Sequence, residues 1–192
     1  WTGSPIENPD YSASYSLIEV DSHARSNRQL ESFAHEAYHA THQDLEKLYG
    51  GQKPVSPSEF VSIKMRQEAG AFYREAMVNE ELISRPLNFD KTKAQYVFVN
   101  SNGEPQTQSI NDLIVRTPDA KPDEAKSLAA IETFLRRHPS LIGDLRHPGS
   151  YQKDENGKFR VNDYVAHYSS GYQGYVKYFA QNQKAMHEKH YL

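Results

Sequence analysis

A chain of 192 residues and 22.0 kDa suffices for one buried core and is short for two domains. Hydrophobic residues make up 37 %, with 13 tyrosines and only 38 Leu, Ile, Val and Phe in all, which predicts a thin core rich in aromatics. A net charge of −3 excludes a nucleic-acid binder driven by phosphate charge, no apolar run approaches the ~18 residues of a membrane span, and zero cysteines exclude disulfides and thiolate metal sites.

The chain begins at Trp1 rather than Met, as a processed or excised piece would, and no signal-peptide pattern follows. Residues 1–14 are polar and broken by Pro5 and Pro9, so they read as an irregular arm ahead of one domain spanning 15–192. Tyr15 to Val20 has the composition of a short strand. Ser26 and Gln29 form a capping-box signal for a helix expected over residues 27–49, stopped by Gly50-Gly51. Ser56-Pro57-Ser58-Glu59 opens a second, longer helix that must end before Pro86. Ala94 to Val99 reads as a strand, and Asn100-Ser101-Asn102-Gly103 as the turn of a hairpin. A third helix is expected over Asp123 to Arg137, a loop over His138 to Lys158, and a last helix from Val161 to about His187. The sum is an α+β fold, predominantly helical, in which one helix packs on a long second helix beside a small strand or hairpin element.

The first helix carries His35-Glu36-Ala37-Tyr38-His39, the H-E-x-x-H pattern of zinc metallopeptidases. Residues four apart on a helix lie one turn above each other, so both imidazoles can converge on one ion. The glutamate beside the first histidine then faces the open coordination position, where it can take a proton from water and deliver it to a leaving amine. A helical projection centres the apolar stripe on Leu30, Phe33, Ala37 and Leu48. His35 and His39 fall on another face, which belongs to solvent or to a cleft wall.

A catalytic site needs a third protein ligand. His42 lies one turn too far along the helix to share an ion with His35, and Asp44, still within that helix, points the wrong way. The metzincin pattern would need glycine at His42 and histidine at Leu45. The second helix offers Glu59, Glu68, Glu75, Glu80 and Glu81. Glu68 shares a face with Val61, Met65, Phe72 and Ile83, and Glu75 lies two turns along it. A carboxylate inside an apolar stripe needs a partner, and a metal ion is one.

His35-Glu36-x-x-His39, followed 29 residues later by Glu68-Ala69-Gly70-Ala71-Phe72, resembles the gluzincin arrangement. It is also similar to the small metallopeptidase domains of bacterial toxins and secreted effectors. The resemblance covers about residues 15–85, and Gly70 in mid-helix departs from it. It implies that His35, His39 and Glu68 bind one zinc ion, with Glu36 as general base. It also implies a protein or peptide substrate and a catalytic domain of a larger secreted or delivered polypeptide. Glu75 stays open as the alternative third ligand.

Tyr164, Tyr168, Tyr172, Tyr175 and Tyr178 recur at helical spacing, the mark of core packing in a leucine-poor chain. Tyr164, Tyr168, Tyr172 and His167 are also candidates for donating a hydrogen bond to a tetrahedral oxyanion. His138-Pro139 and His147-Pro148 read as ordinary surface positions. The rival to an enzyme is a non-catalytic binding or adaptor domain in which metal merely stabilises the helix pair.

Overall fold

In the computed structural model, residues 10–12, 17–19, 26–42, 44–85, 93–142 and 151–189 are described. The order is β1 (Asp10–Ser12), β2 (Leu17–Glu19), α1 (Ser26–Thr41), α2 (Leu45–Tyr49), α3 (Pro57–Ser84), β3 (Gln95–Val99) and β4 (Pro105–Ser109). A 3-10 turn (Ile110–Leu113), α4 (Glu124–Arg137), β5 (Ser140–Leu141), β6 (Val161–Asn162) and α5 (Tyr164–Lys189) follow. The fold is predominantly helical α+β, with an antiparallel four-stranded sheet ordered β4-β3-β5-β6 and a separate β1–β2 pair. Asp10–Ser12 lies within the expected arm yet pairs as a strand with Leu17–Glu19. The rest of that arm, the ends of the expected strand at Tyr15 and Val20, and His147-Pro148 lie outside the described residues.

α3 is the axis of the molecule. The Ser56 side chain accepts from Glu59 N at 3.3 Å and Pro57 opens the first turn, as the cap signal predicts. α1, α4 and α5 all pack on α3. From Gln67 to Tyr73 every residue of it is buried, so this segment is enclosed on all sides. Val61, Met65, Phe72 and Ala76 join Tyr96, Ile110, Ile131 and Leu135 in the main core. A second cluster gathers Leu48, Phe60, Ile63, Tyr175 and Phe179.

The helix expected over 27–49 is two helices. Asp44 adopts a left-handed backbone with φ 47°, which a continuing helix cannot accommodate. The end of α1 is satisfied by one local and one distant partner, Thr41 Oγ1 donating to Ala37 O at 2.8 Å and Gln67 Nε2 of α3 donating to His42 O at 2.9 Å. Leu48 therefore belongs to α2, where it packs in the second cluster.

The face of α1 is likewise opposite to the expected one. Leu30 and Phe33 are 43 % and 51 % exposed, whereas Glu31, Ser32 and Glu36 are buried. The projection assumed an apolar neighbour, but α3 meets α1 with Glu68, Gly70, Glu75 and Asn79. Polar groups on α1 answer them: Asn79 Nδ2 donates to Glu31 Oε1 at 2.6 Å, and Arg28 Nη1 reaches Glu31 Oε2 at 3.3 Å. Every such pairing offsets a desolvation cost of ~1–3 kcal/mol for a buried polar group left alone.

α5 closes the molecule with its tyrosines. Tyr172 OH donates to Val55 O at 2.8 Å and Tyr175 OH to Leu48 O at 2.5 Å, while Val55 N donates to Tyr175 OH at 3.1 Å. They staple the α2–α3 connection to α5, so the stripe works as core packing with polar tips engaged. Its last member, Tyr178, is 53 % exposed and does not share that role. His138 is no surface histidine: its ring stacks on Phe134 at 4.3 Å and lies edge-on to Phe98 at 4.6 Å, and it caps α4.

Candidate metal centre

α1 and α3 bring three donors to one point. His35 Nε2 and His39 Nε2 are 3.3 Å apart, an i,i+4 pair aimed inward by one helix turn. Glu68 reaches across from α3, with Oε2 3.7 Å from His35 Nε2 and Oε1 3.5 Å from His39 Nε2. Among the described residues these three side chains form a group able to hold a metal ion. A tetrahedral ion with ligands at about 2.0–2.1 Å sets neighbouring donors about 3.3–3.4 Å apart, which matches the His35–His39 separation, and each histidine has a different Glu68 oxygen a few tenths of an ångström beyond it. Two imidazole nitrogens facing each other at 3.3 Å also call for a cation or a proton between them.

Glu75 takes a different position. Its Oε2 lies 3.3 Å from His35 Nδ1, the far side of the ring, at ion-pair distance but off hydrogen-bond alignment. Its Oε1 accepts from Arg28 Nη1 at 2.5 Å. Glu75 is therefore behind His35 rather than beside the Nε2 atoms, where it favours the tautomer that leaves Nε2 free for a metal. Arg28, Glu31 and Asn79 extend this buried chain of polar contacts; the sequence reading passed over all three. A signal was present: residues 28, 32, 35 and 39 are polar and share one helical face.

Electrostatics follow from this packing. Burial would pull His35 down, but the Glu68 and Glu75 carboxylates outweigh it and push its imidazole up to about 10. Burial would raise Glu68, yet hydrogen bonds from His35 and His39 hold it well below the usual carboxylate range. Glu75, also opposed by burial, is drawn down to about 2 by the Arg28 guanidinium and His35. The site is thus a set of charges that stabilise one another and would be costly to strand singly.

Gly70, the departure noted in the sequence, is explained by Tyr38. A Cβ at Gly70 would stand 2.2 Å from Tyr38 Cζ and hydroxyl, because that ring lies across α3 and stacks on His42 at 4.1 Å. Gly70→Ala is expected to destabilise the protein by about 1–3 kcal/mol. In a thermal-melt cycle, Tyr38→Ala should relieve most of that cost, leaving the two changes strongly non-additive. Simple additivity would mean that the contact does not set the α1–α3 spacing.

Beside His35 lies a cleft of about 280 Å³ lined by Arg28, His35, Glu36, Phe72, Glu75 and Tyr164, among others; His39 and Glu68 are not on its wall. Glu36 is buried and lies on this cleft wall with His35, the residue before it. Of the four oxyanion candidates, Tyr164 lines the cleft and Tyr168 donates its hydroxyl to Glu68 Oε1. Tyr172 is committed to Val55 O, and His167 is exposed beside Tyr168. Among the described residues, no helix is long and apolar enough to cross a membrane. In comparisons with known proteins, no family model, curated protein or solved structure matches the chain.

Proposed function

We propose that the chain is a zinc-dependent metallopeptidase that hydrolyses peptide bonds of a protein substrate, with Glu36 as general base. One observation carries this reading: two histidines and a glutamate meet near the spacing of a tetrahedral ion, and the buried glutamate that follows the first histidine shares a cleft wall with it. The donor set is nitrogen and oxygen only, the kind used by catalytic zinc sites that keep a position open. When bound, the ion would supply Lewis acidity for a water and for the scissile carbonyl.

The chain's own residues account for the remaining chemistry. Glu36 accepts a proton from the attacking water and passes it to the amine nitrogen as the C–N bond breaks. Tyr164, which lines the cleft with His35 and Glu36, is assigned the hydrogen bond to the oxygen that gains charge. Phe72 packs edge-on against His35 with centroids 4.7 Å apart, which helps to fix the orientation of that ring.

The test combines elemental analysis with proteolysis. The purified chain should carry close to one zinc per molecule and cleave some peptides of a complex protein mixture. Both zinc and cleavage should disappear in His39→Ala. Zinc content near zero in wild type after exposure to the metal would overturn the proposal.

A further inference from the structure

α5 contributes a contact to the centre that neither the ligand pattern nor the general-base role requires. The Tyr168 hydroxyl donates to Glu68 Oε1, across 100 residues of sequence. The Tyr168 ring is partly buried and packs against both apolar clusters, so the hydroxyl is held at its position rather than free to swing. Tyr164, one turn earlier on the same face, lines the cleft with Glu36 instead.

We infer that Tyr168 is a positioning residue that fixes Glu68 as a one-oxygen metal ligand. The inference rests on the metallopeptidase reading and departs from the expectation that Tyr168 is an oxyanion donor. A glutamate on an unrestrained side chain can offer an ion one oxygen or two. Both Glu68 oxygens lie near the histidine pair, Oε1 3.5 Å from His39 Nε2 and Oε2 3.7 Å from His35 Nε2, so without restraint both could bind. The Tyr168 hydroxyl spends the capacity of Oε1 on the protein and leaves Oε2 as the freer oxygen. One-oxygen binding preserves the low coordination number and the open position that catalysis needs. Partners that orient ligating carboxylates in this way typically matter by about 10- to 100-fold in metal affinity. The two tyrosines of α5 therefore differ in role: Tyr168 holds a ligand and Tyr164 lines the cleft beside His35. The C-terminal helix becomes part of the metal centre although it supplies no ligand.

The experiment strips wild type, Tyr168→Phe and Tyr172→Phe of metal and titrates each with zinc and with cobalt(II). Phenylalanine keeps the ring packing and removes only the hydroxyl. Wild type should show the intense visible bands of low-coordinate cobalt. Tyr168→Phe should bind zinc about 10- to 100-fold more weakly and show weaker bands, as coordination rises when Glu68 binds through both oxygens. Tyr172→Phe loses a backbone hydrogen bond from the same helix, so its melting temperature should fall while affinity and spectrum stay as in wild type.

Unchanged zinc affinity and an unchanged cobalt spectrum in Tyr168→Phe would overturn the inference and leave the peptidase reading standing. A wild-type chain that binds neither metal would overturn both. If Tyr168→Phe fails to fold, ¹³C-labelled tyrosine in wild type decides the matter. The Tyr168 ring signal should shift when zinc is added while that of Tyr172 stays put, and a Tyr168 signal indifferent to zinc refutes the contact.

Discussion

Glu36→Gln is expected to keep its zinc and its fold while losing about 10²- to 10⁴-fold in turnover, the usual contribution of a positioned general base. The carboxamide matches the carboxylate in shape, so the buried position on α1 stays filled. What disappears is the capacity to accept a proton from water. The group that could hold a metal is His35, His39 and Glu68 and does not include Glu36, so zinc content should remain that of wild type. Three results would each say something different. Loss of zinc in the variant would place Glu36 among the ligands. Retained turnover would remove it as the base. Zinc bound by both forms, with neither cleaving anything in a broad proteome digest, would favour the binding or adaptor domain over an enzyme.

Zinc affinity should climb steeply with pH, by about 1000-fold from pH 6 to pH 9. His35 carries a proton over this whole range in the metal-free protein, because Glu68 and Glu75 push it up to about 10 against the opposing effect of burial. The metal needs the neutral imidazole, so each zinc bound releases that proton, and affinity rises about tenfold per pH unit. Glu68 and Glu75 are held ionised well below this window and add no slope. A competition titration with a chromophoric chelator at several pH values measures the effect, and a flat profile would show that His35 is neutral without metal.

The same groups govern the stability of the metal-free protein. The raised His35 contributes stability that is complete below its ordinary value of 6.5 and is lost as pH climbs through about 10. The depressed Glu75 contributes stability that is complete above its ordinary value of 4.5 and is lost as pH falls toward about 2. Metal-free protein should therefore melt early at both extremes. Free zinc at 100 times its dissociation constant should add about 2.7 kcal/mol, with the alkaline limb gaining most because the ion replaces the proton on His35.

Local signals carried much of the secondary structure. Ser56-Pro57 and Asp123 mark the starts of α3 and α4 because a cap needs only its own side chain and the next three residues. His35 and His39 were legible as a pair for the same reason, one helix turn being enough to bring their rings together. Errors arose where a distant partner mattered. The break after His42 coincides with Gln67 of α3 taking the last carbonyl, a contact no helical spacing announces. Leu30 and Phe33 looked like the inner face of α1 because projection weighs only hydrophobicity, whereas the surface opposite them was not the one that α3 offered.

The choice between Glu68 and Glu75 shows the boundary most sharply. They are seven residues apart on one helix face, and both are buried beside His35. The sequence by itself determined that α1 carries two histidines one turn apart that could share an ion, and that α3 has two carboxylates on one face. Only the tertiary structure decided that Glu68 meets the Nε2 edge and Glu75 the Nδ1 edge. The physical reason is that this depends on where α1 lies along α3, a register set by Gly70 under Tyr38 and by Arg28 against Glu75. Tyr168 lies further still from any local signal, since its hydroxyl finds Glu68 only because α5 returns across α3. Ligand chemistry was written into short spacings, and the arrangement that could make it a working centre was written into how three helices pack.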